Sequence, residues 1–227
     1  MNSIPFHEWA VTKMGNHFQK VGSLYLIANG YHATSFHGCE GEDKAPQTEG
    51  PFKGIILPDD HVMYMDRPDL EHWHEWKFKW DATPWKIGGW IAQFGISKRQ
   101  IEHYFEHDRM KKAPTYITHY EHTDVHTKEV VERLWTQELQ TLWNHPSRRI
   151  CPRTGRTWYF DREASIYVGT LKELTAGIFL RDRGKSLYDW MQEGIEWYSL
   201  VRKPGTYDSD PPMKSQFVTE QVQEGLF

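Results

Sequence analysis

The chain has 227 residues, which at roughly 150 residues per domain allows one large domain or one with an appendage. Its 27 basic and 31 acidic residues give a formal charge of -4, which excludes a protein that binds nucleic acid by bulk positive charge. The apolar runs are short, as in Gly54-Ile55-Ile56-Leu57, whereas a membrane-spanning helix needs about 20 apolar residues. The N-terminus lacks a basic stretch followed by an apolar one, so no signal peptide is expected. Cys39 and Cys151 alone make neither a disulfide framework nor a Cys-rich zinc site, and a reducing cytoplasm is expected.

Residues 6–29 read as a helix. Met14, Phe18, Val21, Leu24 and Ile27 recur at steps of three and four, which lays an apolar stripe on one face. Gly30 ends it in the position of a C-cap glycine. Residues 31–37 suit a strand, and the polar, Gly- and Pro-containing 38–52 a loop. Lys53 to Asp66 reads as a strand broken near Pro58, and Arg67-Pro68-Asp69 is turn chemistry. His72 to Trp80 alternates. Trp73, Glu75, Lys77 and Lys79 share one face, and His74, Trp76, Phe78 and Trp80 the other. The two strands are expected to form an antiparallel hairpin.

Asp81 to Ile96 reads as a connection holding a short helix. Ser97-Lys98-Arg99-Gln100 has capping-box spacing ahead of a helix over about 98–110. Thr115 to Glu121 is strand-like. Residues 127–144 give the clearest helical pattern, with Val130, Val131, Leu134, Trp135, Leu139, Leu142 and Trp143 on a broad apolar face. After Pro146, Arg148, Arg149, Arg153 and Arg156 fall within nine residues, followed by Trp158-Tyr159-Phe160. Helices are expected near 170–180 and 186–198, and an extended tail from Pro204.

The stretch that carries chemistry is Pro58-Asp59-Asp60 followed by Glu75-Trp76-Lys77, with fifteen residues between Asp59 and Glu75. Glu75 and Lys77 stand two apart on a strand and leave the sheet on one face. A hairpin brings an aspartate at the neighbouring strand's edge to the same point. Two carboxylates there can hold a divalent metal, which Mg²⁺ takes through oxygen ligands. A metal so held polarises a phosphoryl oxygen and activates a bound water, and a lysine beside it stabilises developing charge. Regular alternation sends Asp59 and Asp60 to opposite faces, so one of them serves. Asp59 follows the proline and is favoured, while Asp60 directly precedes the apolar strand.

These residues resemble the PD-(D/E)xK nuclease superfamily. Gly15, Gln19, Leu26 and Gly30-Tyr31 look like the first helix of such nucleases, though many members carry a glutamate where Gln19 stands. Lys98-Arg99-Gln100-Ile101-Glu102-His103-Tyr104-Phe105 looks like the second helix, and resolvase-like and VRR-type members have a glutamine at the place of Gln100. The resemblance spans residues 14–122. It implies an α/β protein with a restriction-endonuclease-like core, a mixed central sheet flanked by helices, over 1–126. A mostly helical C-terminal extension over 127–203 and a tail over 204–227 would follow.

The implied activity is metal-dependent hydrolysis of DNA phosphodiester bonds. Mg²⁺, with Mn²⁺ as a substitute, would be held by Asp59 or Asp60 together with Glu75. Lys77 would assist the attacking water, and Gln100 would orient the phosphate. Arg148, Arg149, Arg153 and Arg156 would contact the DNA backbone. A homodimer in the cytoplasm of a bacterium, or of a phage's host, is the corresponding expectation. No phosphate loop is present, so no nucleotide cofactor is expected.

Each feature has a plainer reading. Glu75 and Lys77 can be a same-face ion pair, Lys79 a solvated strand end, and Gln100 the partner of Ser97 in a capping box. Two further functions compete: a non-catalytic DNA-binding or structural assembly protein on the same fold, and a zinc protein using His72, His74, His103 or His107. Residues 141–190 hold nine basic and five acidic residues, so the acidic total leaves room for a local, salt-dependent DNA contact.

Overall fold

A computed structural model describes residues 6–35, 45–64, 66–81, 83–86, 90–152 and 154–201. Cys39, Arg153 and the expected tail from 204 lie outside the described residues. Helix α1 (Phe6–Ala28) is followed by strands β1 (His32–Ser35), β2 (Asp60–Met63) and β3 (His72–Asp81). Strands β4 (Thr83–Lys86) and β5 (Trp90–Ser97) lead into α2 (Lys98–Lys111) and β6 (Thr115–Thr123). Then come β7 (Val130–Glu138), α3 (Leu139–Asn144), β8 (Arg149–Ile150), β9 (Thr157–Asp161) and β10 (Ile166–Thr170). Last are α4 (Leu171–Thr175), β11 (Phe179–Leu180), β12 (Lys185–Ser186) and α5 (Leu187–Val201).

The fold is a mixed α/β arrangement with a central sheet flanked by helices. That sheet has the order β1-β2-β3-β6-β7-β10. Its pairings are antiparallel except β3 with β6, which run parallel across a crossover that includes α2. Parallel neighbours need such a long connection, whereas the β2–β3 hairpin needs only a turn. The expected succession of helix, strand, strand hairpin, helix and strand is met by α1, β1, β2–β3, α2 and β6, with β4 and β5 inserted ahead of α2.

Both faces of β3 are covered. Trp76, Phe78 and Trp80 join Met14, Phe18 and Val21 of α1 and Ile195 and Tyr198 of α5 in the larger core. On the other face Ile101 and Tyr104 of α2 pack with Ile96, Ile117, Leu139 and Phe160. The apolar stripe of α1 is shifted from its expected line. Leu26 is buried and Ile27 is 51% exposed, because the helix turns its last contact toward β1 and β3. Gly30 closes α1 with φ +85, and Tyr31 N–H donates to the Leu26 carbonyl, as a glycine-based C-cap requires.

Three expected elements differ. Residues 127–144 are not one helix: β7 comes first and α3 begins only at Leu139. The β-branched Val130 and Val131 and the cross-strand pairing of Thr118 with Thr136 favour the strand. Among the described residues of 81–96 there is no helix, and β4 and β5 pair antiparallel in a second sheet of order β4-β5-β9-β8. Among the described residues between Lys53 and Asp66, only Asp60–Met63 is strand, although Ile55, Ile56 and Leu57 are buried ahead of it. The region after 127 is therefore not mostly helical. β7 and β10 widen the central sheet, and β9 pairs with β5.

Candidate active site

The β2–β3 register decides between the two aspartates. Asp60 stands opposite His74 and His61 opposite Trp73, which sets Asp59 opposite Glu75. Asp59, Trp73, Glu75 and Lys77 therefore lie on one face of the sheet, and Asp60, His74 and Trp76 on the other. Asp59 and Glu75 are both fully buried. Asp59 Oδ2 accepts the Trp76 backbone N–H at 2.7 Å.

Asp60 is committed elsewhere, which corrects its candidacy as a metal ligand. Its Oδ1 accepts from Ser35 Oγ at 2.7 Å and from Ser23 Oγ at 2.8 Å. Its Oδ2 accepts from Ser23 Oγ at 2.9 Å and from Trp76 Nε1 at 2.8 Å. It ties α1, β1 and β3 together, and a carboxylate with this many donors is a structural anchor.

Lys77 Nζ lies 2.5 Å from Glu75 Oε1, with its side chain only 18% exposed. The same ammonium donates to Gln100 Oε1 at 3.1 Å. Gln100 thus reaches across from the first turn of α2 to the sheet. The capping box is absent: Ser97 makes no side-chain cap hydrogen bond. One turn further along α2, Tyr104 is fully buried and its hydroxyl hydrogen-bonds Glu75. Burial, and then the charges of Glu75 and Asp59, hold that hydroxyl well above the ordinary phenol range, so it stays a donor. Tyr104 was not among the residues the sequence singled out, although its i,i+4 spacing from Gln100 puts both on the helix face that meets the sheet.

His119 is a second residue beside the site that the motif does not contain. It stands in register with Lys77 on β6 and stacks on Phe94, ring centroids 4.4 Å apart. Neither ring nitrogen has a hydrogen-bond partner among the described residues. Burial, with Lys79 and Lys77 nearby, keeps it neutral, well below the ordinary imidazole range.

The histidine set expected for zinc does not assemble. His74 faces α1, its Nε2 2.8 Å from Thr118 Oγ1, while His107 packs on Trp73 on the opposite face. His72 Nδ1 lies 2.8 Å from the Leu70 carbonyl. Strand alternation separates residues 73 and 74, so the α2 histidines cannot meet the β3 ones. Among the described residues, no group of three or more His, Cys, Asp or Glu side chains is placed to hold a metal.

The arginine cluster divides. Arg149 Nη2 pairs with Asp161 Oδ1 at 2.6 Å. Arg148 lies over the Trp143 ring at 4.0 Å and donates to the Trp143 carbonyl at 2.7 Å. Arg156 is exposed, and its carbonyl accepts the Lys98 N–H at 2.8 Å. That bond seats the β8–β9 turn on the N-terminus of α2, two residues before Gln100.

No family model and no curated protein matches the chain. A solved structure with some likeness is that of Hjc, a Holliday junction resolvase from Archaeoglobus fulgidus. The match has 14% sequence identity and a TM-score of 0.41, and covers 67% of this chain and 95% of that one. A likeness of that size carries nothing about activity. Among the described residues, no helix is long and apolar enough to cross a membrane.

The donor set left on the Glu75 face fits a hard divalent cation. Asp59 and Glu75 offer carboxylate oxygens, and Mg²⁺ takes one or two carboxylates with water and substrate phosphate completing its shell. A closed cage of three protein ligands is not what such an ion needs.

Proposed function

We propose that this protein is a divalent-metal-dependent DNA endonuclease. The observation that carries the reading is the grouping of Asp59, Glu75 and Lys77 on one sheet face, with Gln100 and Tyr104 reaching in from α2. Two buried carboxylates beside a lysine are costly as mere structure, because burying charge without full pairing destabilises a fold.

Asp59 and Glu75 would hold Mg²⁺ or Mn²⁺. Such an ion, when bound, lowers the pKa of a water and polarises a phosphoryl oxygen. Lys77 contributes a fixed ammonium against the negative charge that develops on the phosphoryl oxygens. Gln100 holds that ammonium from the side facing α2, and Tyr104 orients Glu75 by donating to it. Neither has to change protonation. Arg156, exposed at the α2 N-terminus, contacts backbone phosphate. Arg148 and Arg149 first serve the protein itself, stacking on tryptophan and pairing with Asp161.

The test is a nicking assay on linear, plasmid and branched DNA with Mg²⁺ or EDTA. Wild type is expected to cleave with Mg²⁺ and not with EDTA. Lys77→Ala and Glu75→Gln are expected to lose at least about a hundredfold in rate, as removal of one charge-stabilising group usually costs. Cleavage that persists in EDTA, or in both variants, ends the proposal. Binding of DNA without cleavage in wild type would favour a non-catalytic protein on the same fold.

A further inference from the structure

On the sheet face opposite Glu75, a cavity of about 140 Å³ opens between α1 and α4. Its walls are apolar: Val21, Trp76, Leu134, Leu171 and Leu174. The cavity is open to the surface on one side, where Val168 is exposed, and has several times the volume of a water molecule. An apolar cavity of about 150 Å³ is known to stay dry and to accept benzene. The size therefore suits one six-membered ring.

Its polar lining includes one hydrogen-bonded row. Thr118 Oγ1 donates to Thr136 Oγ1 at 2.9 Å. Thr118 then accepts from His74 Nε2, 2.8 Å away, which fixes the proton on that nitrogen. His74, at 8% exposure, keeps Nδ1 as a buried acceptor with no hydrogen-bond partner among the described residues. At the other end the Thr136 hydroxyl retains its own hydrogen to donate. The row thus offers a donor at Thr136 and an acceptor at His74; Tyr25 also lines the cavity, as does Thr175, whose hydroxyl donates to the Leu171 carbonyl at 2.7 Å. A compact aromatic ring bearing one hydroxyl suits the apolar walls and can accept from the Thr136 donor.

We propose that this cavity is a binding site for a small hydroxylated aromatic, with phenol as the minimal ligand. The site is separate from the Asp59–Glu75 pair, but Trp76 belongs to both. Its ring lines the cavity, its indole N–H bonds Asp60, and its backbone N–H bonds Asp59. Trp76 is also the reporter, because a ring bound against it must move the indole N–H resonance.

The experiment titrates the full chain with phenol and follows the Trp76 indole N–H by two-dimensional NMR, assigned with Trp76→Phe. A saturable shift in wild type is expected. Val168→Phe is expected to abolish it. Val168 lines the mouth and is 41% exposed, so the added ring costs the fold little. Thr136→Val is expected to weaken phenol about fivefold, the worth of one ordinary hydrogen bond, and to leave benzene unchanged. A non-saturable shift, or equal saturable shifts in wild type and Val168→Phe, overturns the site. Equal weakening of phenol and benzene by Thr136→Val overturns the ligand class. None of these readouts depends on cleavage.

Discussion

Asp59 and Asp60 are adjacent in sequence and opposite in role. Asp59→Asn is expected to remove cleavage with little loss of stability, since its Oδ2 partner is a backbone N–H that an amide oxygen can also accept. Asp60→Ala is expected to do the reverse in kind. It leaves the Trp76 indole N–H without its acceptor, while Ser23 Oγ keeps the Gln19 carbonyl at 3.0 Å and Ser35 Oγ keeps Ser23 Oγ at 3.2 Å. Stranding one buried donor and losing its bond to a charged acceptor costs about 2 kcal/mol. Urea denaturation of the two variants reads the difference directly. Similar losses in both would show that the register argument assigns the roles wrongly.

The sequence made this pair visible but not its division of labour. Alternation says only that the two differ in face. Which face carries Glu75 depends on the hairpin register, which no residue type announces. Gln100 illustrates the same point. Its spacing from Ser97 fits a capping box, yet its side chain meets Lys77, because a buried ammonium needs acceptors more than an exposed helix end needs a cap.

At the scale of elements, α1 approaches β3 closely. Gly22 lies against the Trp76 ring, and a Cβ there would penetrate the ring's van der Waals shell. Gly22→Ala therefore sets two effects against each other. Alanine gains about 1 kcal/mol of helix propensity. Forcing a methyl into a packed contact costs about 1–3 kcal/mol, and here it strikes the ring that bonds Asp60, on the residue whose backbone N–H bonds Asp59. The net expectation is a loss of about 1 kcal/mol with a larger fall in cleavage rate than in stability. A variant more stable than wild type, with full activity, would mean that α1 is not held this tightly.

Helices α1, α2 and α5 and strands β2, β3 and β6 follow from periodicity, caps and alternation. Strand β7 does not. Val130, Val131, Leu134 and Trp135 satisfy a helical period as well as the alternation of a strand lying between two neighbours. Short apolar patterns are ambiguous between the two, and pairing with β6 and β10 settles it through contacts distant in sequence. The β4–β5 pair was missed for a related reason: its partner β9 lies more than sixty residues away.

For the whole molecule, acid lability follows from how α1 and α5 meet. His17 of α1 is buried with Nε2 3.0 Å from the Trp190 carbonyl, and its ring stands edge-on to Trp190 with centroids 4.6 Å apart. Gly194 leaves the room, since a Cβ there would collide with the imidazole. Burial lowers the His17 pKa from 6.5 to about 4 against the contrary pull of that carbonyl, and Lys20 and Arg183 add to the lowering. The folded state thus keeps His17 neutral where the unfolded chain would protonate it. Between pH 6.5 and 4 the unfolded state binds the extra proton, so stability falls as pH falls through that window and is fully present above it. At about 1.4 kcal/mol per pH unit, the loss reaches about 3 kcal/mol near pH 4. Wild type and His17→Phe should be compared by urea denaturation at pH 7, 6 and 5, above most carboxylate titration. The variant is expected to be less stable at pH 7, having lost the bond to Trp190, but to show a shallower decline toward pH 5. Parallel declines in the two proteins would place the acid sensitivity outside the α1–α5 contact.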